Sequence, residues 1–281
     1  MSNSINRRAV IRSSAFGLLA ASLPKILFAK TGSYPYANTK VFYRYPSIDD
    51  AIVSEVVGVS HFNLDRVKEL VGKRPELARA TWDWGFGDWE TALGAASHVG
   101  RRDIADYLIS KGARPDIFTF AMFGDEAAVR AMVAAKPGIQ SIAGPHGITL
   151  LQHVKNGLER EGLTDDQKQR NQKLIAYLES LGNADVVPVN LEMTEADNEK
   201  YLGNYLYGEG PEDGFTVRLN MRRQISLGKL NKFGGSLYNR GNQQFEYNGA
   251  PSVAISFQWE GEKVVSLTIT EPDLTLIAKK V

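Results

Sequence analysis

Residues 91–116, TALGAASHVGRRDIADYLISKGARPD, decide how the chain is built. Thr91 provides a side-chain cap for a first helix, in which Leu93, Ala95 and Ala96 form a small-sided apolar face. Gly100 breaks that helix. Ile104, Leu108 and Ile109 recur at helical spacing for a second one, and Gly112 supplies a left-handed stop. The result is a helix–turn–helix unit whose apolar face is too small to fold alone, so neighbouring segments must stack against it.

The order of these parts resembles the ankyrin repeat, T-P-L-H-x-A followed by a glycine turn, an aliphatic helix and G-A-D. Thr91, Leu93, Ala96, Gly100, Leu108, Gly112, Ala113 and Asp116 fit it, while Ala92 stands in place of the proline and Gly94 in place of the histidine. The resemblance implies a stacked scaffold that binds through its surface, without naming what is bound.

Working outward, further units of this kind are expected on both sides. Unit one takes residues 48–59 and 64–71, and unit three runs from Phe118 through Gly124 to Val133. Unit four opens at 147–151 and closes with Leu174, Ile175, Leu178 and Gly182, after a polar insertion at 159–170. The equivalent positions Val67, Ala105, Val129 and Ile175 lie 38, 24 and 46 residues apart. A regular array would show about 33. A tryptophan-rich connection before unit two and the insertion in unit four account for the longer steps. Four units exceed the roughly three that a self-supporting stack needs.

After Val186 the period changes to two. Short alternating segments at 203–207, 215–220, 224–227, 235–239, 244–247, 253–259, 264–270 and 274–279 are separated by glycine, asparagine and proline, and a short helix is expected at 193–201. Eight such strands predict a small antiparallel barrel or sandwich. This tail resembles the lipocalin-like domain that follows serine-hydrolase domains of the beta-lactamase type. Tyr201-Leu202-Gly203-Asn204-Tyr205, Val265-Ser266-Leu267-Thr268-Ile269 and the terminal Leu276-Ile277-Ala278-Lys279-Lys280-Val281 carry the likeness. It implies a module without catalytic residues of its own. The fold class expected is therefore α + β and multidomain: an ankyrin-like α-solenoid of about four repeats over 48–187, then an eight-stranded antiparallel β-barrel over 188–281.

The chain has 281 residues, 43% hydrophobic and 23% charged, with no cysteine. Disulfides and thiolate metal sites are thereby excluded. Asn6-Arg7-Arg8-Ala9-Val10-Ile11-Arg12 resembles a twin-arginine signal, and the apolar run at 15–29 is interrupted by Pro24 and Lys25 and is too short to span a bilayer. Residues 1–29 read as a signal peptide and 30–47 as an extended segment, which implies an exported, periplasmic protein with no stable membrane span once the signal is gone. Such removal takes away Arg7, Arg8, Arg12 and Lys25 and no acid, moving the net charge from +1 to −3. That balance excludes a nucleic-acid partner, which needs clustered cations.

Trp82-Asp83-Trp84-Gly85-Phe86-Gly87-Asp88-Trp89-Glu90 holds three of the four tryptophans. It reads either as an aromatic platform for a partner, using Trp82, Trp84, Phe86 and Trp89, or as rings packed on the neighbouring unit or the barrel. His61 and His98 occupy similar places near the turn between paired helices. They are either a metal pair or turn histidines bonded to backbone. With no HExxH and no cysteine, neither a metal nor a cofactor is assigned. His98 and His146 are instead counted with the finger residues as partner contacts. Ser226-Leu227-Gly228-Lys229 has the S-x-x-K spacing of penicillin-binding enzymes, but it falls in a strand, where residues three apart face opposite sides. Gly208–Gly214, written GEGPEDG, is a hairpin loop, and Arg218, Arg222, Arg223, Lys229 and Lys232 form a solvated basic cluster. The expectation is a non-enzymatic scaffold for a protein or peptide partner. The alternative is a small sugar or apolar ligand at the barrel or under the finger, with Tyr205, Phe245, Phe257 and Trp259 either lining a cavity or filling it.

Overall fold

The structure, a computed structural model, describes residues 44–220, 223–232 and 234–281. The expected signal peptide, most of the extended segment at 30–47 and Arg222 lie outside the described residues. Every element below belongs to one compact unit, Ser47–Val281.

Helices come first, in consecutive pairs. They are α1 Asp50–Val59 with α2 Leu64–Lys73, α3 Ala92–His98 with α4 Arg102–Ser110, α5 Ile117–Phe123 with α6 Glu126–Ala135, and α7 Leu150–Leu158 with α8 Asp165–Leu181. Most begin on a side-chain cap, because a helix leaves its first N–H groups without partners. Asp49, Asn63, Thr91, Asp116, Asp125, Thr149 and Thr164 each accept an N–H from the first turn they precede. The first helices of the pairs pack in chain order, α1 on α3, α3 on α5 and α5 on α7. The polar stretch 159–170 is only half an insertion. Thr164 and Gln167 form a reciprocal capping box, so α8 starts at Asp165 and its first turns face solvent.

The tryptophan-rich connection is itself ordered. Thr81–Asp83 (β1) pairs antiparallel with Trp89–Thr91 (β2), and a 3-10 turn, Pro75–Arg79, precedes it.

After α9, Glu195–Tyr201, eight antiparallel strands follow: β3 Gly203–Leu206, β4 Gly214–Leu219, β5 Ile225–Lys229, β6 Gly235–Gly241, β7 Gln244–Tyr247, β8 Ala250–Glu260, β9 Lys263–Glu271 and β10 Leu274–Lys280. They close into a barrel in the order β10-β3-β4-β5-β6-β7-β8-β9. Each corresponds to one of the eight expected segments. Tyr205, Tyr247, Phe257, Ile255 and Leu267 are buried and fill the interior. Ser226 and Lys229 lie on β5, the serine buried and the lysine exposed, so the S-x-x-K spacing carries no chemistry here.

Candidate metal centre

The β1–β2 hairpin places Trp82 opposite Glu90. Alternation along β2 sends Glu90 inward, where it is 1% exposed, and Trp89 outward, where it is 61% exposed. The tip is tied by Asp83, whose carboxylate accepts the N–H groups of Gly85 and Gly87. Glu90 meets three histidines from three other places. His61 sits in the turn between α1 and α2, and His98 is the last residue of α3. His146 is in the loop Pro145–Gly147 before α7, with a left-handed backbone at φ 57. Gly147 follows at φ 65 and packs so closely on Asn248 of the barrel that no side chain fits there.

The four side chains converge. One ligand-type atom from each of His61, Glu90, His98 and His146 lies within 4.8 Å of all the others. His98 Nδ1 is 2.9 Å from Glu90 Oε1, His146 Nε2 is 3.4 Å from the same oxygen, and His61 Nε2 is 3.5 Å from Glu90 Oε2. Ligand atoms around a tetrahedral ion, each about 2.0 to 2.1 Å from it, stand roughly 3.3 Å apart.

Outer hydrogen bonds set which nitrogen points inward. His61 Nδ1 is 2.9 Å from the Gly58 carbonyl, which can only accept, so Nδ1 carries the proton and Nε2 offers its lone pair to the centre. His146 Nδ1–H donates to the buried Asp88 carboxylate at 2.7 Å, and Asp88 also accepts the His146 backbone N–H. Trp84 Nε1–H donates to Glu90 Oε2 at 2.8 Å. The two closest inner atoms, Glu90 Oε1 and His98 Nδ1, are both buried and neither has a hydrogen-bond partner among the described residues. They stand 2.9 Å from each other, close enough to pair electrostatically but not aligned as a hydrogen bond, and a buried polar atom without a well-made hydrogen bond is costly.

Electrostatics follow from the same contacts. Burial works against charge on His146, but its bonds to Asp88 and Glu90 outweigh that and hold its pKa up at about 10. For Glu90 burial is the largest single influence and favours the neutral acid, yet His146 and His98 together keep it well below the usual carboxylate range. His98 is lowered by burial, which Glu90 only partly offsets. An entering cation would take the place of the His146 Nε2 proton. Three imidazole nitrogens and one carboxylate oxygen form a donor set suited to borderline divalent first-row ions such as Zn2+.

The residues singled out in the sequence fall on both sides of this centre. His98 and His146 are in it. Trp84 borders it, Trp82 packs into the helical core, and Phe86 packs edge-on against Tyr247 of the barrel at 4.7 Å between ring centroids. Trp89 alone of the six is largely exposed. His61 is a turn histidine bonded to the Gly58 carbonyl, and its other ring nitrogen faces the cluster. Glu90 was visible only as the last letter of the tryptophan-rich motif. A comparison of this chain with family models, curated proteins and solved structures returned no match. Among the described residues, no helix is long and apolar enough to cross a membrane.

Proposed function

We propose that this chain is a non-enzymatic metal-binding scaffold, holding one divalent first-row transition ion through His61 Nε2, His98 Nδ1, His146 Nε2 and Glu90. One observation carries the reading: atoms from four separate segments meet within 4.8 Å, with the His61 and His146 rings oriented by bonds made outside the cluster. Four protein ligands complete a tetrahedral ion, the arrangement of structural rather than catalytic zinc. The ankyrin-like order of residues in 91–116 supports a stacked scaffold, and exposed Trp89 supports a protein or peptide partner on its surface. The twin-arginine-like stretch Asn6–Arg12, sequence NRRAVIR, supports export to the periplasm. That route carries folded proteins and suits a chain that loads its ion before crossing.

The test is metal content. Protein purified without chelator is expected to carry about one zinc-type ion per chain, and chelated protein is expected to take up Zn2+ or Co2+ at that ratio. His98→Ala should abolish uptake. Wild-type protein that neither retains nor binds a transition ion would remove the proposal.

A second reading has its own observation. At the barrel mouth a cleft of about 270 Å3 is lined by Tyr201, Asn239, Gln243 and Trp259, and the buried Trp259 Nε1–H has no acceptor among the described residues. An indole face beside amides suits a neutral sugar. Saturable change in tryptophan fluorescence on adding monosaccharides, lost in Trp259→Phe, would establish it, and a flat titration would dismiss it.

A further inference from the structure

The centre described above has an asymmetry that its four ligands do not explain. Glu90 offers two oxygens, and they are treated differently. Oε2 accepts the Trp84 indole N–H at 2.8 Å, whereas Oε1 has no hydrogen-bond partner. Oε1 approaches His98 Nδ1 at 2.9 Å and His146 Nε2 at 3.4 Å, while His61 Nε2 is 3.5 Å from Oε2, the oxygen that Trp84 also holds. A hydrogen bond to an ionised acceptor is short and directional, so it uses one lone pair of Oε2 and fixes the plane of the carboxylate.

The indole is well held for this task. Its Cη2 edge lies over Gly58, whose carbonyl also fixes His61. The Trp84 backbone N–H donates to the Asp88 carbonyl, which ties the ring to the segment that orients His146. The ring stands 6.4 Å from the His61 ring and 6.5 Å from the His146 ring, beside the two ligands that solvent reaches.

Resting on the metal-binding reading, we infer that Trp84 is a specificity-determining residue: by holding Oε2 it keeps Glu90 a one-oxygen ligand, and so biases the centre toward a four-coordinate ion such as Zn2+ over ions such as Mn2+ that take more ligands and favour oxygen. Carboxylates bind either through one oxygen or through both, and the larger, harder cations use the second mode to reach six or more ligands. Zinc accepts four without loss. Trp84 touches no ion itself; it acts through Glu90.

The experiment uses the full chain with Co2+ as the probe, since four-coordinate Co2+ absorbs several-fold more strongly in the visible than five- or six-coordinate Co2+. Wild type is expected to give the strong four-coordinate spectrum and Trp84→Phe a weaker, blue-shifted one. The ratio of Zn2+ to Mn2+ affinity should fall about tenfold in the variant, the lower end of what outer-shell partners contribute. Benzothienylalanine at position 84, which keeps the ring's shape and lacks the N–H, should reproduce both changes and separates the hydrogen bond from packing if Phe disturbs the fold. Unchanged spectrum and unchanged selectivity with benzothienylalanine would overturn the inference. So would a wild-type spectrum that is already five- or six-coordinate, although metal binding itself would then stand. Failure of wild type to bind Co2+ or Zn2+ at all would remove the metal-binding reading, and this inference with it.

Discussion

The inside of the barrel and the inside of the helical region are furnished differently. Tyr205, Tyr247, Phe257, Ile255 and Leu267 close the barrel, and its buried polar side chains Thr216, Ser226 and Asn248 each have a hydrogen-bond partner. The helical region withdraws Asp88, Glu90, His98 and His153 from water and leaves atoms of Glu90, His98 and His153 without one, whereas in the barrel the Trp259 indole N–H, at the mouth, is left so. Geometry explains the contrast. An eight-stranded barrel is just wide enough for its inward-facing side chains to fill it. A helix such as α3, with Ala92, Gly94, Ala95 and Ala96 along it, leaves space that loops and turns can enter. Pro145 comes up against Gly94 in that way and brings His146 with it. Reactive groups gather where helices are slim, and the barrel presses its own residues against the loops that carry them.

The contrast makes separable expectations. The largest concerns the barrel. Phe257→Ala should cost about 3–5 kcal/mol of stability by denaturant unfolding, through a cavity that the closed sheet cannot collapse. Metal affinity of the folded fraction should be unchanged. A tenfold loss of affinity in that variant would show that the barrel interior and the centre are one system. Next comes His153, buried in the stack and pushed down to about 4 chiefly by burial, against the bond to the Thr149 carbonyl and with His98 and Glu90 nearby. Its unfolded value is near 6.5, so the unfolded chain binds the proton first. The neutral ring's contribution is complete above that pH and is lost as pH falls toward 4, by about 3 kcal/mol. Chelated His153→Leu should lose stability less steeply than wild type between those limits; parallel curves would place the acid sensitivity elsewhere.

Smaller effects probe the centre and the seam. Asp88→Asn removes the charge that orients His146 and should weaken Zn2+ binding about 10- to 100-fold, and it should also lower the stability of the metal-free protein near neutral pH, because Asp88 helps hold His146 protonated. Equal affinity would mean that His146 needs no orienting partner. Phe86→Ala strips the ring that the finger lays on Tyr247 and should cost about 1 kcal/mol, with at most a few-fold loss in affinity. A larger loss than that of Asp88→Asn would reverse the comparison, making barrel contact the stronger support for the ligands.

What could be read from the sequence divides along the same line. The barrel strands were legible because period-two alternation and Gly/Asn turns are local signals, and Thr91 sits where a cap must sit, whereas Thr164 was hidden inside what reads as a polar insertion. The β1–β2 pairing escaped because three-residue strands rich in tryptophan and aspartate show no alternation long enough to count. The centre escaped for a different reason. Its ligands follow one another at intervals of 29, 8 and 48 residues, and only the stacking of separate segments brings them together. The likeness of position between His61 and His98 was one available clue. Glu90 gave none beyond the aromatic motif it ends, because burial of a strand residue depends on which face the hairpin turns inward.

The claim that most depends on this structure is that four residues share one ion. X-ray absorption at the zinc edge of the loaded full-length protein tests it directly. Scattering from about three imidazole rings with nitrogen at roughly 2.0 Å, plus one oxygen, is the expected first shell. A shell of water oxygens, or one containing a single imidazole, would contradict the account.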